Sequence, residues 1–127
     1  MERLFLLLGS AFGFLAVIAG SWAAHGLEKF VDEAKLIANF KTGAEYQMYH
    51  ALALLAVAYV AGRHPSKLVM LAGWSFVIGI ILFSGSLYIY ALTAVKAWGA
   101  VTPFGGLGFL VGWLLLAIAA FRMKSDQ

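Results

Sequence analysis

Cysteine is absent from these 127 residues. No disulfide, thiolate nucleophile or thiolate metal site is therefore available, and the redox compartment is left open. Proline occurs twice, in the turn Gly62-Arg63-His64-Pro65-Ser66-Lys67 and at Pro103. Charge is scarce: 12% of residues carry one, against about 25% in an ordinary soluble domain, so the chain cannot cover a soluble surface. The charges also cluster in short segments separated by long uncharged runs. With 63% hydrophobic residues and a mean hydropathy of +0.90, this is the pattern of a polytopic membrane protein. The net charge of +3 and pI near 9.3 do not point to nucleic acid, because no basic stripe with interleaved aromatics occurs and loop Lys and Arg account for the excess.

Leu4 to Ala24 is uncharged for 21 residues, enough to cross a bilayer at about 1.5 Å per residue. A cleaved signal peptide ending at Ser21-Trp22-Ala23 is the rival reading, but the apolar run is long for a signal core. Gly9, Gly13, Ala16, Gly20 and Ala23 give one small-residue face on which a second helix can pack. His25-Gly26 is a helix stop. From Leu27 the pattern turns amphipathic, predicting a short helix in the headgroup plane. Uncharged or nearly uncharged runs then return, and Gly105, Gly108 and Gly112 form a second packing face in the last. Thr102 is placed to cap a helix whose first residue is Pro103. The expectation is an all-α membrane protein forming one domain, with spans at about residues 4–24, 42–62, 68–95 and 101–121 and an interfacial helix at about 27–40.

Four spans put both termini and the Pro65 turn on one side. That side holds Arg3, Arg63, Lys67, Arg122 and Lys124, five of the nine cations, a positive-inside bias that predicts cytoplasmic termini. The same alternation brings the polar residues of four separate segments into the opposite leaflet: His25, Glu45, Tyr46, Gln47, His50, Ser84, Ser86, Tyr88 and Thr102. Gly43, Tyr46 and His50 share a helix face. An ionisable group inside a span marks a functional candidate, so the expectation is one shared polar pocket roofed by the amphipathic helix. Each member also has a plain reading. Serines in such helices bond their own preceding turn, Tyr88 suits an interfacial belt, Glu45 suits headgroup depth, and His50 can serve packing alone.

Ala23-Ala24-His25-Gly26-Leu27, Phe40-x-Thr42-Gly43-x-x-Tyr46-Gln47-x-x-His50-Ala51-Leu52-Ala53-Leu54-Leu55, Phe83-Ser84-Gly85-Ser86-Leu87-Tyr88 and Thr102-Pro103-x-Gly105-Gly106-x-x-Phe109-x-x-Gly112-Trp113 follow one another along nearly the whole chain. In this order they resemble a family of small four-helix membrane proteins catalogued as domain of unknown function four-two-three, bacterial with eukaryotic relatives. Many relatives read Gly-Ala-Phe-Gly-Ala-His-Gly in the first motif; here Ser21-Trp22-Ala23-Ala24 replaces its middle. The resemblance implies four spans in a bacterial inner membrane or an organelle, and no established activity.

Two functions fit these residues. The first is an accessory or membrane-stabilising protein, acting as a homo-oligomer or within a larger membrane complex. The alternative is binding or transport of a small solute, a proton or a lipid headgroup, with His50 and Glu45 as titratable members. No catalytic constellation appears: there is no nucleophile–base pair, phosphate loop or zinc signature. His25 and His50 do not make a metal-ligand spacing, so no metal and no cofactor is expected. The lipid bilayer is the partner that the composition requires.

Overall fold

Where no water reaches the backbone, each N–H and C=O must be paired within its own segment, and a proline-free apolar run forms a helix. The computed structural model describes residues 1–124, and all regular structure among them is helical. We label the long helices α1 (Glu2–His25), α2 (Ala34–Arg63), α3 (Lys67–Thr93) and α4 (Thr102–Arg122). Helix α3 is continuous but not uniform: five residues, Ile80–Ser84, form a π-helical turn between two α-helical parts. Such a turn inserts a residue into the i→i−4 ladder and rotates everything beyond it.

Helices α1 and α2 pack as one pair, and α3 and α4 as another. Three stretches are long and apolar enough to cross a membrane: α1, α3, and Lys96–Arg122, which joins the Lys96–Ala100 3-10 turn to α4. Helix α2 is longer than any of them at 30 residues, but it is not apolar enough to count by itself. The outward surface is apolar, with Leu7, Phe14, Ile18, Tyr59, Leu110 and Phe121 all exposed.

The interfacial helix expected at 27–40 is not a separate element. Gly26 ends α1, with its N–H on the Trp22 carbonyl at 2.7 Å. Its φ is −115°, so the glycine is not needed for a left-handed turn. Close approach is the reason instead, since a Cβ there would lie 2.6 Å from Trp22 Nε1. A single 3-10 turn, Leu27–Lys29, follows, and α2 has already begun at Ala34. The apolar side chains of this segment do not form a stripe toward lipid. Leu27, Val31, Leu36 and Phe40 are buried together with Ala23 and Ala91, and Trp22 and Tyr88 pack against them. No helix breaker stands between Ala34 and Gly43, so the helix that starts there runs on without a joint.

The second core lies toward the termini. Phe5, Leu54, Val57, Val69 and Phe76 are almost wholly buried in it. Phe5 of α1 enters a notch at Gly73 of α3, where any Cβ would overlap the phenyl ring. Glycine serves the α3–α4 contact in the same way. A Cβ on Gly112 would lie 2.6 Å from the Phe76 ring, and one on Gly105 would overlap the backbone of Phe83 within the π turn. Of the remaining packing glycines, Gly9 lies against Ala51, Leu54 and Leu55, and Gly108 against Ser75 and Gly79. Gly13 makes only a loose contact with Ala51, and nothing lies within 4 Å of a Cβ on Gly20.

Candidate functional site

Helix α2 carries the polar residues that reach the interior. Gly43, Gln47 and His50 fall on its buried face, with spacings of four and three residues. Gln47 ties three helices together: its amide N–H donates to the Phe12 carbonyl of α1 at 2.8 Å, and its Oε1 accepts from the Tyr88 hydroxyl of α3 at 2.6 Å. One turn earlier the Ser84 hydroxyl donates to the Gly43 carbonyl at 2.7 Å. Ser84 is the last residue of the π turn, which places its hydroxyl against α2. Above this cluster the Phe40 ring lies 4.7 Å from that of Tyr88 and 5.5 Å from that of Trp22. The Leu27–Phe40 segment therefore does cover Tyr88, though not as a surface helix.

His50 belongs to a different contact, between α2 and α4. The Trp113 indole N–H donates to its Nε2 at 3.0 Å, and its Nδ1 is 2.7 Å from the Tyr46 carbonyl. An indole nitrogen can only donate, so Nε2 holds the lone pair and Nδ1 holds the proton that Tyr46 accepts. The arrangement specifies one tautomer of a neutral imidazole. The ring also stacks on Phe109, with centroids 3.6 Å apart and planes 5° from parallel. An open groove of about 460 Å³ runs outside this stack, lined by Tyr46, Tyr49, His50, Phe83, Phe109 and Trp113 among others. Apart from His50 and the Tyr and Trp tips, its walls are apolar.

A third contact joins the Ser86 and Thr102 hydroxyls at 2.5 Å. Ser86 also donates toward the Phe83 carbonyl at 3.0 Å. Thr102 does not act as the expected cap: the N-cap position is Val101, and Thr102 already lies within α4. Its hydroxyl is engaged across helices instead.

The model of the family described as protein of unknown function (DUF423) matches residues 19–106 of this chain. The chain belongs to that family. A UPF0382 membrane protein of Haemophilus influenzae is 46% identical over 98% of this chain and 99% of its own length. One of Staphylococcus saprophyticus is 44% identical over 95% and 99%, and the inner membrane protein YgdD of Escherichia coli is 38% identical over 97% and 93%. No solved structure matches the chain. The protein is an integral membrane protein of a family without an assigned activity.

Within this DUF423 chain the residues expected to share one pocket divide among several places. Gln47, Ser84 and Tyr88 meet around α2, and His50 meets Trp113 beside Tyr46. Ser86 meets Thr102. His25 is exposed at the end of α1. Glu45 is exposed too, beside a cleft of about 310 Å³ between α1 and α2 that Lys41, Gly20 and Ala44 also line. Tyr46 stays partly exposed, its ring 4.9 Å from that of Phe83. A single chamber is thus corrected to three separate polar contacts, because helices packed this closely leave no space between the groups. No buried side-chain nitrogen or oxygen among the described residues lacks a partner. Nor do three His, Asp or Glu side chains converge there, so the geometry names no metal-ligand set.

The partners missed by sequence reasoning are Trp113, Phe109 and the carbonyls of Phe12 and Gly43. Trp113 carried a signal. It lies in the middle of the last apolar run, away from the interfacial depth where tryptophan ordinarily collects. The carbonyls carried none, since every residue offers one.

Proposed function

We propose that this protein is a four-span accessory or membrane-stabilising protein of the bacterial inner membrane, with α2 as the second span and the termini in the cytoplasm. Helix α2 is too polar to cross alone, but its Gln47 and His50 are each only 5% exposed and face the other helices. Five of nine cations at the terminal end support the orientation, and the Escherichia coli relative is named an inner membrane protein.

The observation that carries the accessory role is the complete use of the buried polar groups. Both nitrogens of His50 are engaged, as are the Gln47 amide and the Ser84 hydroxyl. Groups tied into packing hold helices together. A solute or proton path needs polar groups with an unused donor or acceptor facing a connected cavity. An accessory role also implies neighbours in the membrane. Crosslinking in intact membranes, followed by gentle extraction, is expected to recover a homo-oligomer or a larger complex; recovery of monomer alone would overturn the reading. Proteoliposomes provide the second arm. They are expected to show the same proton and small-solute uptake as protein-free vesicles, and uptake that His50→Ala abolishes would favour transport.

A further inference from the structure

Because α3 and α4 run antiparallel, the residue that opens α3 lies beside the residue that closes α4. These are Lys67 and Arg122, and Lys124 follows. The three surround a cleft of about 520 Å³ whose other walls include Pro65, Leu68 and Ala119. Its volume falls within the usual range of small-molecule sites, about 300–1,000 Å³. None of the described residues that line it, His64 among them, is acidic. Nor does an ion pair tie up Lys67, Arg122 or Lys124 among the described residues. At the opposite end of the bundle the cleft that Lys41 lines has Glu45 beside it.

We propose that this cleft binds the phosphate-bearing headgroup of an anionic phospholipid, with Lys67, Arg122 and Lys124 as its charged contacts. Arg122 supplies a fork that matches two phosphate oxygens, and the lysines supply point charges. The apolar walls of Leu68 and Ala119 set the lipid apart from a free anion. Leu71, one turn into α3 from Lys67, and Phe121, next to Arg122, are exposed on the lipid-facing surface, where the glycerol and the acyl chains would lie. Headgroup depth is also where a spanning pair of helices ends, and basic clefts between helix ends on the cytoplasmic side suit anionic lipid. The proposal rests on the four-span reading for this depth and is independent of the accessory role.

The test uses the full-length protein in detergent, with native mass spectrometry counting retained lipid. Phosphatidylglycerol is expected to be retained well above phosphatidylcholine. Each of Lys67→Gln, Arg122→Gln and Lys124→Gln is expected to weaken retention about fivefold, and the triple variant that combines them is expected to weaken it further. The combination Lys29→Gln, Lys35→Gln and Lys96→Gln removes the same charge from the other end and is expected to leave retention unchanged. Equal retention of the two lipids, or equal loss in both triple variants, would overturn the site. Inorganic phosphate bound with the same dependence on the three residues would assign the cleft to a free anion and overturn the lipid. Gel filtration checks that each variant is folded, and Arg122→Gln alone carries the test where the triple variant is not. Labelling of Ser66→Cys and Lys124→Cys from each side of the membrane examines the topology separately: labelling from opposite sides would refute four spans whatever the lipid result.

Discussion

Substituting Gly105 by alanine puts the packing of α4 on the π turn to its sharpest test. A Cβ at this position would overlap the backbone nitrogen of Phe83 and come within 2.7 Å of its Cα and Cβ. Backbone cannot rotate aside, so α4 must move away from α3 or the π turn must unwind. Overpacking of this kind costs about 1–3 kcal/mol even where side chains can adjust, and no such adjustment is open here. Alanine recovers about 1 kcal/mol of helix propensity. A net loss of about 2 kcal/mol or more is expected for Gly105→Ala. Gly20→Ala is the internal control, because nothing lies within 4 Å of its Cβ; it gains the propensity without the clash. The two variants should therefore differ by about 3 kcal/mol. The assay is unfolding in mixed micelles, followed by circular dichroism, with wild type and both variants side by side. Equal stability of Gly105→Ala and Gly20→Ala would refute the close approach and the π-turn geometry with it.

Cysteines replacing Ser86 and Thr102, whose hydroxyls are 2.5 Å apart, should crosslink on mild oxidation in membranes, whereas a pair at His25 and His50 should not; the reverse result would restore the single pocket. A double-mutant cycle of Gln47→Leu and Tyr88→Phe should return a coupling of about 0.6–1.7 kcal/mol, the range for hydrogen bonds between membrane helices, and additive effects would remove that bond from the account. Ala94 ends α3 with a φ of 58°, a left-handed conformation that costs an L-residue about 1–2 kcal/mol. After allowance for the greater freedom of glycine in the unfolded chain, Ala94→Gly should raise stability by about 0.5 kcal/mol; a lower unfolding midpoint would contradict the turn.

Helices α1, α3 and α4 were legible because an uncharged run has no alternative partner for its backbone, and their ends fell where charge or Pro65 appears. Helix α2 was legible only in its apolar half. Glu28, Lys29, Asp32, Glu33, Lys35 and Asn39 made residues 27–40 look like a separate surface element, yet Leu36 and Phe40 are buried inward and the helix passes through them. The π turn left no mark. It shifts the facing of Ser84 and all that follows by one residue, and a run as evenly apolar as Ile80–Phe83 has no stripe in which to see the shift. The alternation of helices accounts for the meeting of Gln47 with Tyr88 and of Ser86 with Thr102. Whether they share a chamber depends on the separation of the helices, and glycines such as Gly105 reduce it to backbone contact. Trp113 was readable as an oddity of depth but not as the partner of His50, since the pairing joins residues 63 positions apart.

If the buried polar groups serve the packing of the bundle, His50 must be held as a neutral ring between Trp113 and the Tyr46 carbonyl. Nitrogen-15 NMR of the imidazole, with the protein in lipid bilayers at neutral pH, reads the two ring nitrogens separately. A neutral ring is expected, with the proton on Nδ1 and a bare, hydrogen-bonded Nε2 whose resonance moves in Trp113→Phe. An imidazolium, a proton on Nε2, or a resonance indifferent to Trp113 would contradict it.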